Sequence, residues 1–218
     1  MLSGDEGDAC TMNANSDDVT DCYRASAEAL DSFIGDLLAG MDADVLANTL
    51  IIFVGDNGTP GEAVVEEDGL PFYTAHAKGT VYEGGVNVPL IIGGGSNMGI
   101  DVTEVSDNIQ IQDIFSTVLA IANTTPTNAT IDGQSLIGYI DTETTQPSAR
   151  AFLFTELTAS GEDIDRWAVS NGETKYIYNE ETEECYQLSS DPGEQQEQYL
   201  ASGASVTECE TLKALRPQ

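Results

Sequence analysis

Apolar residues fall along this chain in two kinds of pattern. Between residues 23 and 41 they recur at steps of three and four: Tyr23, Ala27, Leu30, Ile34, Leu37, Leu38 and Met41, with Arg24, Glu28, Asp31 and Asp36 off the stripe. That period predicts an amphipathic helix, ended near Gly40 and Asp42. Two short runs follow, Leu50–Val54 and residues 88–92, both apolar and rich in β-branched side chains. Each reads as a buried strand, and a helix feeding such a strand is the rhythm of a parallel α/β sheet. Residues 109–122 return to the helical period, with Ile111, Ile114, Phe115, Val118, Leu119 and Ala122 as the stripe expected to face the core.

Past residue 146 the pattern changes. Residues 151–157, 167–170, 175–178 and 185–188 are short aromatic or alternating runs separated by Asn171-Gly172 and by acidic turns, which predicts a small antiparallel sheet. A closing helix at 195–200 or 206–215 would cover it. The expected division is therefore an α/β unit over residues 1–146 and a small antiparallel subdomain over 147–218. Residues 3–20 and 59–75 read as polar loops, and 126–146 as a Thr-rich connector containing Ile131-Asp132-Gly133-Gln134-Ser135-Leu136. Gly93-Gly94-Gly95-Ser96 lacks the Lys-Ser/Thr ending of a phosphate loop and reads as a turn.

Charge narrows the partners. With 38 Asp and Glu against 7 Lys and Arg, a formal charge of −31 repels nucleic acid and anionic membrane surfaces, so cations are the natural partners. It also fits a protein held in solution in salty surroundings. No apolar run has the length of a membrane span. The cysteines form two local pairs, Cys10 with Cys22 and Cys185 with Cys209, in no C-x-x-C spacing, and disulfides are the favoured reading. Such bonds persist in oxidising compartments, which implies a periplasmic or extracellular protein. The first ten residues carry neither a basic nor an apolar leader segment, so the expectation is that the true N-terminus lies upstream of Met1.

The candidate chemistry lies where the first strand ends. Leu50–Val54 empties into Gly55-Asp56-Asn57-Gly58, presenting an acid and an amide at the place where open α/β sheets bind ligands. The next distinctive stretch, His76-Ala77-Lys78-Gly79, holds the single histidine and the one cation between Arg24 and Arg150. By themselves these residues allow bland readings: Asn-Gly is a common turn pair, and most lysines are simply solvated. His76 is a substrate contact, a supporting donor or a plain loop residue.

Longer blocks turn the choice. Asp56-Asn57-Gly58, then Lys78-Gly79-Thr80-Val81-Tyr82-Glu83-Gly84-Gly85 and Val88-Pro89, resembles the C-terminal half of the sulfatases of the alkaline-phosphatase superfamily. Further blocks agree in order: the helix with Leu30-Asp31 and Gly35; Asp113-Ile114 with Thr117 and Leu119; Asp132-Gly133-Gln134-Ser135-Leu136; Trp167-Ala168-Val169; Lys175-Tyr176; Tyr186-Gln187-Leu188; and Asp191-Pro192-Gly193-Glu194. The resemblance implies part of a mostly parallel or mixed sheet flanked by helices, followed by a small antiparallel sheet with a helix. It implies Asp56 and Asn57 as Ca²⁺ ligands and Lys78 as the sulfate contact; His76, from its place beside Lys78, is a second substrate-binding candidate. Glu83 is expected to be structural, bonding backbone amides in the EGG turn, and residues 180–184 to be a solvated hairpin tip.

The same resemblance marks what the chain lacks. The family's formylglycine nucleophile is made from the Cys or Ser of a C/S-x-P-x-R motif, and no cysteine or serine here is followed by x-P-x-R. Asn87 stands where many members have Arg. The expectation is thus an incomplete hydrolase of sulfate esters, inactive alone, marginally folded or prone to aggregate, whose substrate is a sulfated small molecule or polysaccharide. Two other readings stay open: a phosphatase, phosphodiesterase or phosphonate hydrolase of the same superfamily, and a non-catalytic acidic calcium-binding or interaction protein.

Overall fold

A computed structural model describes residues 16–64, 74–100, 104–125, 130–140, 150–158, 165–179, 182–195 and 203–216. Helix α1 spans Ser16–Ala39, beginning seven residues before the expected start and taking in the end of the segment expected to be loop. Gly40 closes it, its N–H donating to the Asp36 carbonyl at 3.0 Å. Asp42 serves the next helix: as N-cap of α2 (Ala43–Ala47), its Oδ1 accepts from the Asp44 N–H at 3.0 Å. Of the expected apolar stripe of α1, Tyr23, Leu30 and Leu37 face outward, 47, 48 and 67% exposed, as does the neighbouring Phe33, while Ile34, Leu38 and Met41 are half-buried.

Strands β1 (Leu50–Val54) and β2 (Leu90–Gly94) pair with each other, and they do so antiparallel, Leu50 opposite Gly94 and Val54 opposite Leu90. The α/β class holds, and within it these two runs are an antiparallel pair, where the helix-to-strand rhythm had suggested a parallel sheet. Parallel neighbours need a crossover that carries the chain back over the sheet, usually on a full helix. Among the described residues of this connection the longest helix is the four-residue α3 (Glu83–Val86), and the chain returns to the edge it left. Nor are these strands fully buried: every residue of β1 is half-buried, and Ile91 of β2 is 61% exposed.

Helix α4 (Gln112–Ile121) reverses its expected orientation. The stripe expected inside is outside, with Ile111, Phe115 and Val118 all at least half exposed, while the polar Asp113, Ser116 and Thr117 are buried. The buried polar face has a defined task. Asp113 Oδ2 accepts from the Gln110 N–H at 2.8 Å, and its Oδ1 accepts from the Gln134 N–H at 2.7 Å and from the Arg150 guanidinium. One turn on, the Thr117 hydroxyl donates to the Asp113 carbonyl at 2.7 Å and accepts from the Leu136 N–H at 2.9 Å. Asp113 and Thr117 thus pin the 132–136 turn, which leads into α5 (Ile137–Ile140). Gly133 allows the close approach, since a Cβ there would lie 2.4 Å from the Gln112 carbonyl oxygen.

The C-terminal part is a four-stranded antiparallel sheet in the order β3 (Leu153–Thr158), β4 (Asp165–Ser170), β5 (Thr174–Asn179), β6 (Thr182–Gln187). Asn171 and Gly172 make the β4–β5 turn as expected: Gly172 takes φ +91°, and Asn171 Oδ1 accepts from the Glu173 and Thr174 N–H groups. Both faces are covered. On one, Trp167, Val169 and Tyr176 pack under Cys209 and Leu212 of α6 (Val206–Lys213), the later of the two expected helices; residues 196–200 of the earlier one lie outside the described residues. On the other, Ala168, Ile177 and Tyr186 pack against Val81 and Tyr82 from the first part of the chain.

Cys185 and Cys209 form the expected disulfide, both fully buried, tying α6 to β6. Cys10 lies outside the described residues, so its expected bond to Cys22 does too. The loop closed by Cys185–Cys209 has a sequence separation of 24, and for a loop of that length removal costs roughly 3 kcal/mol in the chain-entropy model. The double variant Cys185→Ser with Cys209→Ser is expected to unfold at correspondingly lower urea, and loss of under 1 kcal/mol would contradict this. Among the described residues no helix is long and apolar enough to cross a membrane.

Candidate functional site

The four sequence-predicted residues sit on two loops that share backbone hydrogen bonds. Asp56 and Asn57 emerge exposed at the end of β1, next to Gly55, whose N–H donates to the Pro89 carbonyl at 3.0 Å. The Gly58 N–H then donates to the Gly85 carbonyl at 3.1 Å, and the Lys78 N–H donates to the Thr59 carbonyl at 2.9 Å. These bonds bring the Asp56 loop, the Lys78 loop and α3 together. Glycine makes the contact possible: a Cβ on Gly58 would fall 1.8 Å from the Gly84 carbonyl oxygen, and one on Gly84 would fall 2.5 Å from that of His76. Gly79, at φ +86°, turns the chain immediately after Lys78.

Lys78 is exposed, and no ion pair to it is found among the described residues. His76 is placed differently. It is only 9% exposed, its ring stacks on Tyr82 with centroids 3.6 Å apart and planes 8° from parallel, and its Nδ1 is 3.4 Å from the Gly193 carbonyl oxygen. Its ring is thus turned toward the C-terminal part of the chain. Asp56 and Asn57 border an open cleft of about 940 Å³ that runs between β1–β2, α4 and β3–β4, also bounded by Glu83, Asn87, Asp107 and Lys175; Lys78 and His76 lie outside its lining.

Behind the loops is a cluster whose members the sequence displayed only as separate marks. Lys175 of β5 is 2% exposed, and its Nζ lies 2.8 Å from Glu83 Oε1 and 3.0 Å from Glu194 Oε1. The other oxygen of Glu194 accepts the Glu83 N–H at 2.6 Å. Glu83 was expected to bond backbone amides; its carboxylate instead meets the Lys175 ammonium, and its own N–H is the amide that is bonded. A buried lysine demands acids, and the Lys175-Tyr176 and Asp191-Pro192-Gly193-Glu194 marks were the available signal. Glu184 also departs from the solvated tip expected of it. It is half-buried and accepts from the Tyr82 hydroxyl at 2.7 Å and the Tyr186 hydroxyl at 2.6 Å; burial first, and Glu184 second, push both phenols up. Glu183 is paired to Lys213, whose hydrogen bond holds its carboxyl low.

Two acids share one cation in the Lys175 cluster, and burial pushes the Glu194 carboxyl up to about 7 against the opposing pull of Lys175. The unfolded carboxyl titrates near 4.5, so between these values the folded protein holds a proton that the unfolded chain has released. Stability from this group is therefore fully present below about pH 4.5 and is lost as pH rises through about 7. Glu194→Gln is expected to flatten the fall in stability between pH 5 and 8 by up to about 3 kcal/mol. Parallel pH profiles of thermal unfolding for parent and variant would contradict this.

The α/β unit, backed by an antiparallel sheet with a helix across it, superposes on solved sulfatases and shares their alkaline-phosphatase-like fold. The chain belongs to the sulfatase family: the model of that family, described as Sulfatase, matches residues 4–124. It is 35% identical to arylsulfatase G of Rattus norvegicus over 122 residues, which is 51% of this chain and 23% of that protein. It is 27% identical to a sulfatase of Formosa agariphila over 193 residues, 79% of this chain and 34% of that one. A protein solved in complex with its substrate D-glucosamine-2-N,6-O-disulfate superposes with a TM-score of 0.61 at 20% identity, covering 88% of this chain and 38% of its own. The chain thus spans about a quarter to a third of the length of the relatives it matches.

Proposed function

We propose that this chain is the part of a sulfatase that holds the metal ion and the sulfate group, and that the whole protein hydrolyses sulfate esters. The observation that carries the reading is the pair of hydrogen bonds, Gly58 to Gly85 and Lys78 to Thr59, which sets an acid, an amide and an exposed lysine on adjoining backbone. Asp56 and Asn57 offer a carboxylate and an amide oxygen, the hard donors Ca²⁺ takes. They are only part of a set of six to eight oxygens, and among the described residues no group of three or more His, Cys, Asp or Glu could hold an ion by itself. The remaining ligands, and the formylglycine nucleophile, would come from sequence that this chain does not carry.

The bound ion would supply charge to neutralise the sulfate oxygens. Lys78 would add a point charge on a flexible stem, pre-placed for the negative charge that grows on the departing group. His76 would act from behind, filling the space under the Lys78 loop through its stack on Tyr82. A sulfated sugar is the substrate class favoured, by analogy with the neighbour bound to a glucosamine disulfate. In this reading residues 1–146 complete an α/β core with a missing half, which would cover the apolar faces of α1 and α4, and 147–218 form its C-terminal subdomain. The buried Cys185–Cys209 bond supports a periplasmic or extracellular setting.

The test is paired titration of the intact protein. Asp56→Ala is expected to weaken Ca²⁺ binding at least tenfold in calorimetry, and Lys78→Ala to weaken inorganic sulfate by a similar factor, about 1.4 kcal/mol each. Unchanged Ca²⁺ affinity sinks the ligand assignment, and unchanged sulfate affinity sinks the anion contact.

A further inference from the structure

Resting on the reading of Lys78 as the sulfate contact, we infer that Glu83, Lys175 and Glu194 are positioning residues: a buried clamp by which the C-terminal sheet sets the Lys78 loop against the loop of Asp56 and Asn57. Lys175 and Glu83 both border the cleft, but the lysine is not available to a substrate. The Lys175 ammonium is already held between two carboxylates at 2.8 and 3.0 Å. Its work is done through the groups it holds.

The contacts run in one line. Lys175 projects from β5, where it is paired across the sheet with Tyr186, so its base is fixed by the antiparallel ladder. It draws in Glu83 from the first part of the chain and Glu194 from the last, two residues 111 apart in sequence. Glu194 sits at φ +54°, a left-handed conformation unusual for a residue with a side chain, and such strain persists only where the surroundings fix it. Here both of its carboxylate oxygens are engaged, one by the Lys175 ammonium and one by the Glu83 N–H at 2.6 Å. The preceding residue, Gly193, brings its carbonyl to within 3.4 Å of His76, two residues before Lys78.

From Glu83 the line continues into the site. Helix α3 is only four residues long, too short to set its own position, so what holds Glu83 holds Gly84 and Gly85. Gly84 lies against the His76 backbone on one side and Gly58 on the other, close enough that neither glycine could carry a Cβ. Gly85 accepts the Gly58 N–H, and Thr59 accepts that of Lys78. Displacing Glu83 by an ångström therefore moves the backbone that follows Asp56-Asn57 and the backbone that carries Lys78, and a shift of that size in a binding geometry is costly.

The test reads those backbone groups directly in the intact protein. Glu194→Ala removes the acceptor of the Glu83 N–H while leaving Lys175 and Glu83 as a neutral pair; Glu194→Gln keeps an acceptor. Hydrogen exchange at the Gly58 and Lys78 amides is expected to rise at least tenfold in Glu194→Ala and to stay at parent rates in Glu194→Gln, with the Ala168 and Ile177 amides of the sheet unchanged in both. Affinity for inorganic sulfate is expected to follow the same order, falling at least tenfold in the alanine variant alone. Should Glu194→Ala not fold, Glu83→Ala is read at the same two amides, with the same rise expected. Unchanged Gly58 and Lys78 exchange, or failure of glutamine to restore it, overturns the clamp. Failure of the parent to bind sulfate, or equal binding by Lys78→Ala, overturns the functional reading instead, and the amide rates still decide the clamp.

Discussion

Replacement of Lys175 by Met is expected to cost the folded protein about 3–5 kcal/mol, the range found when one partner of a buried ionic cluster is removed. The methionine fills most of the volume, so lost packing is the smaller part. The larger part is electrostatic. Glu83 and Glu194 would be left facing each other, Glu194 fully buried and Glu83 half-buried, with no cation between them. Adding Glu194→Gln to Lys175→Met removes one of the stranded charges and keeps the acceptor for the Glu83 N–H, and is expected to recover half of the loss or more. Urea unfolding of the parent and both variants measures this. A single variant within 1 kcal/mol of the parent, or a double variant no better than the single, would show that the cluster carries little of the fold's stability.

Asp113→Ala is expected to cost a similar amount, about 3–5 kcal/mol, by a different route. One carboxylate serves three donors there, the Gln110 and Gln134 backbone N–H groups and the Arg150 guanidinium, and truncation orphans all of them at once. The 132–136 turn loses one of its two ties to α4, with the Thr117 hydroxyl left as the other. Asp113→Asn keeps an acceptor but loses the charge opposite Arg150, and should fall between. In a double-mutant cycle with Arg150→Met, thermal unfolding should give a coupling of at least about 1 kcal/mol. Additive effects would mean that the backbone bonds, not the ion pair, account for the loss.

How far the sequence foretold this arrangement depends on which residues one follows. The β4–β5 hairpin was legible because Asn171-Gly172 fixes a turn locally and the alternation around it fixes the faces. The Cys185–Cys209 bond was legible from spacing. The helix containing Phe115 was legible too, but its orientation was not. Periodicity reports that a helix has two faces without saying which one the rest of this chain covers, and here Asp113 and Thr117 spend their polar groups on a neighbouring turn while Phe115 and Val118 look outward. The antiparallel pairing of β1 with β2 was not read because an apolar run has no direction. At the site, Asp56, Asn57 and Lys78 could be picked out by residue type. The clamp could not, because its members lie in three separate stretches that only the fold brings together.

The outward stripes of α1 and α4 set this chain against its own charge. At low ionic strength, −31 charges hold like molecules apart, and the exposed Phe33, Leu37, Phe115 and Val118 have little chance to meet. Salt acts on only one side of that balance. As the screening length shortens from about 8 Å at physiological strength to about 3 Å at 1 M, repulsion between neighbours fades, while the attraction between apolar faces does not. The acidity that reads in the sequence as an adaptation to brine is, for a chain with these two faces uncovered, a colloidal barrier that brine would remove.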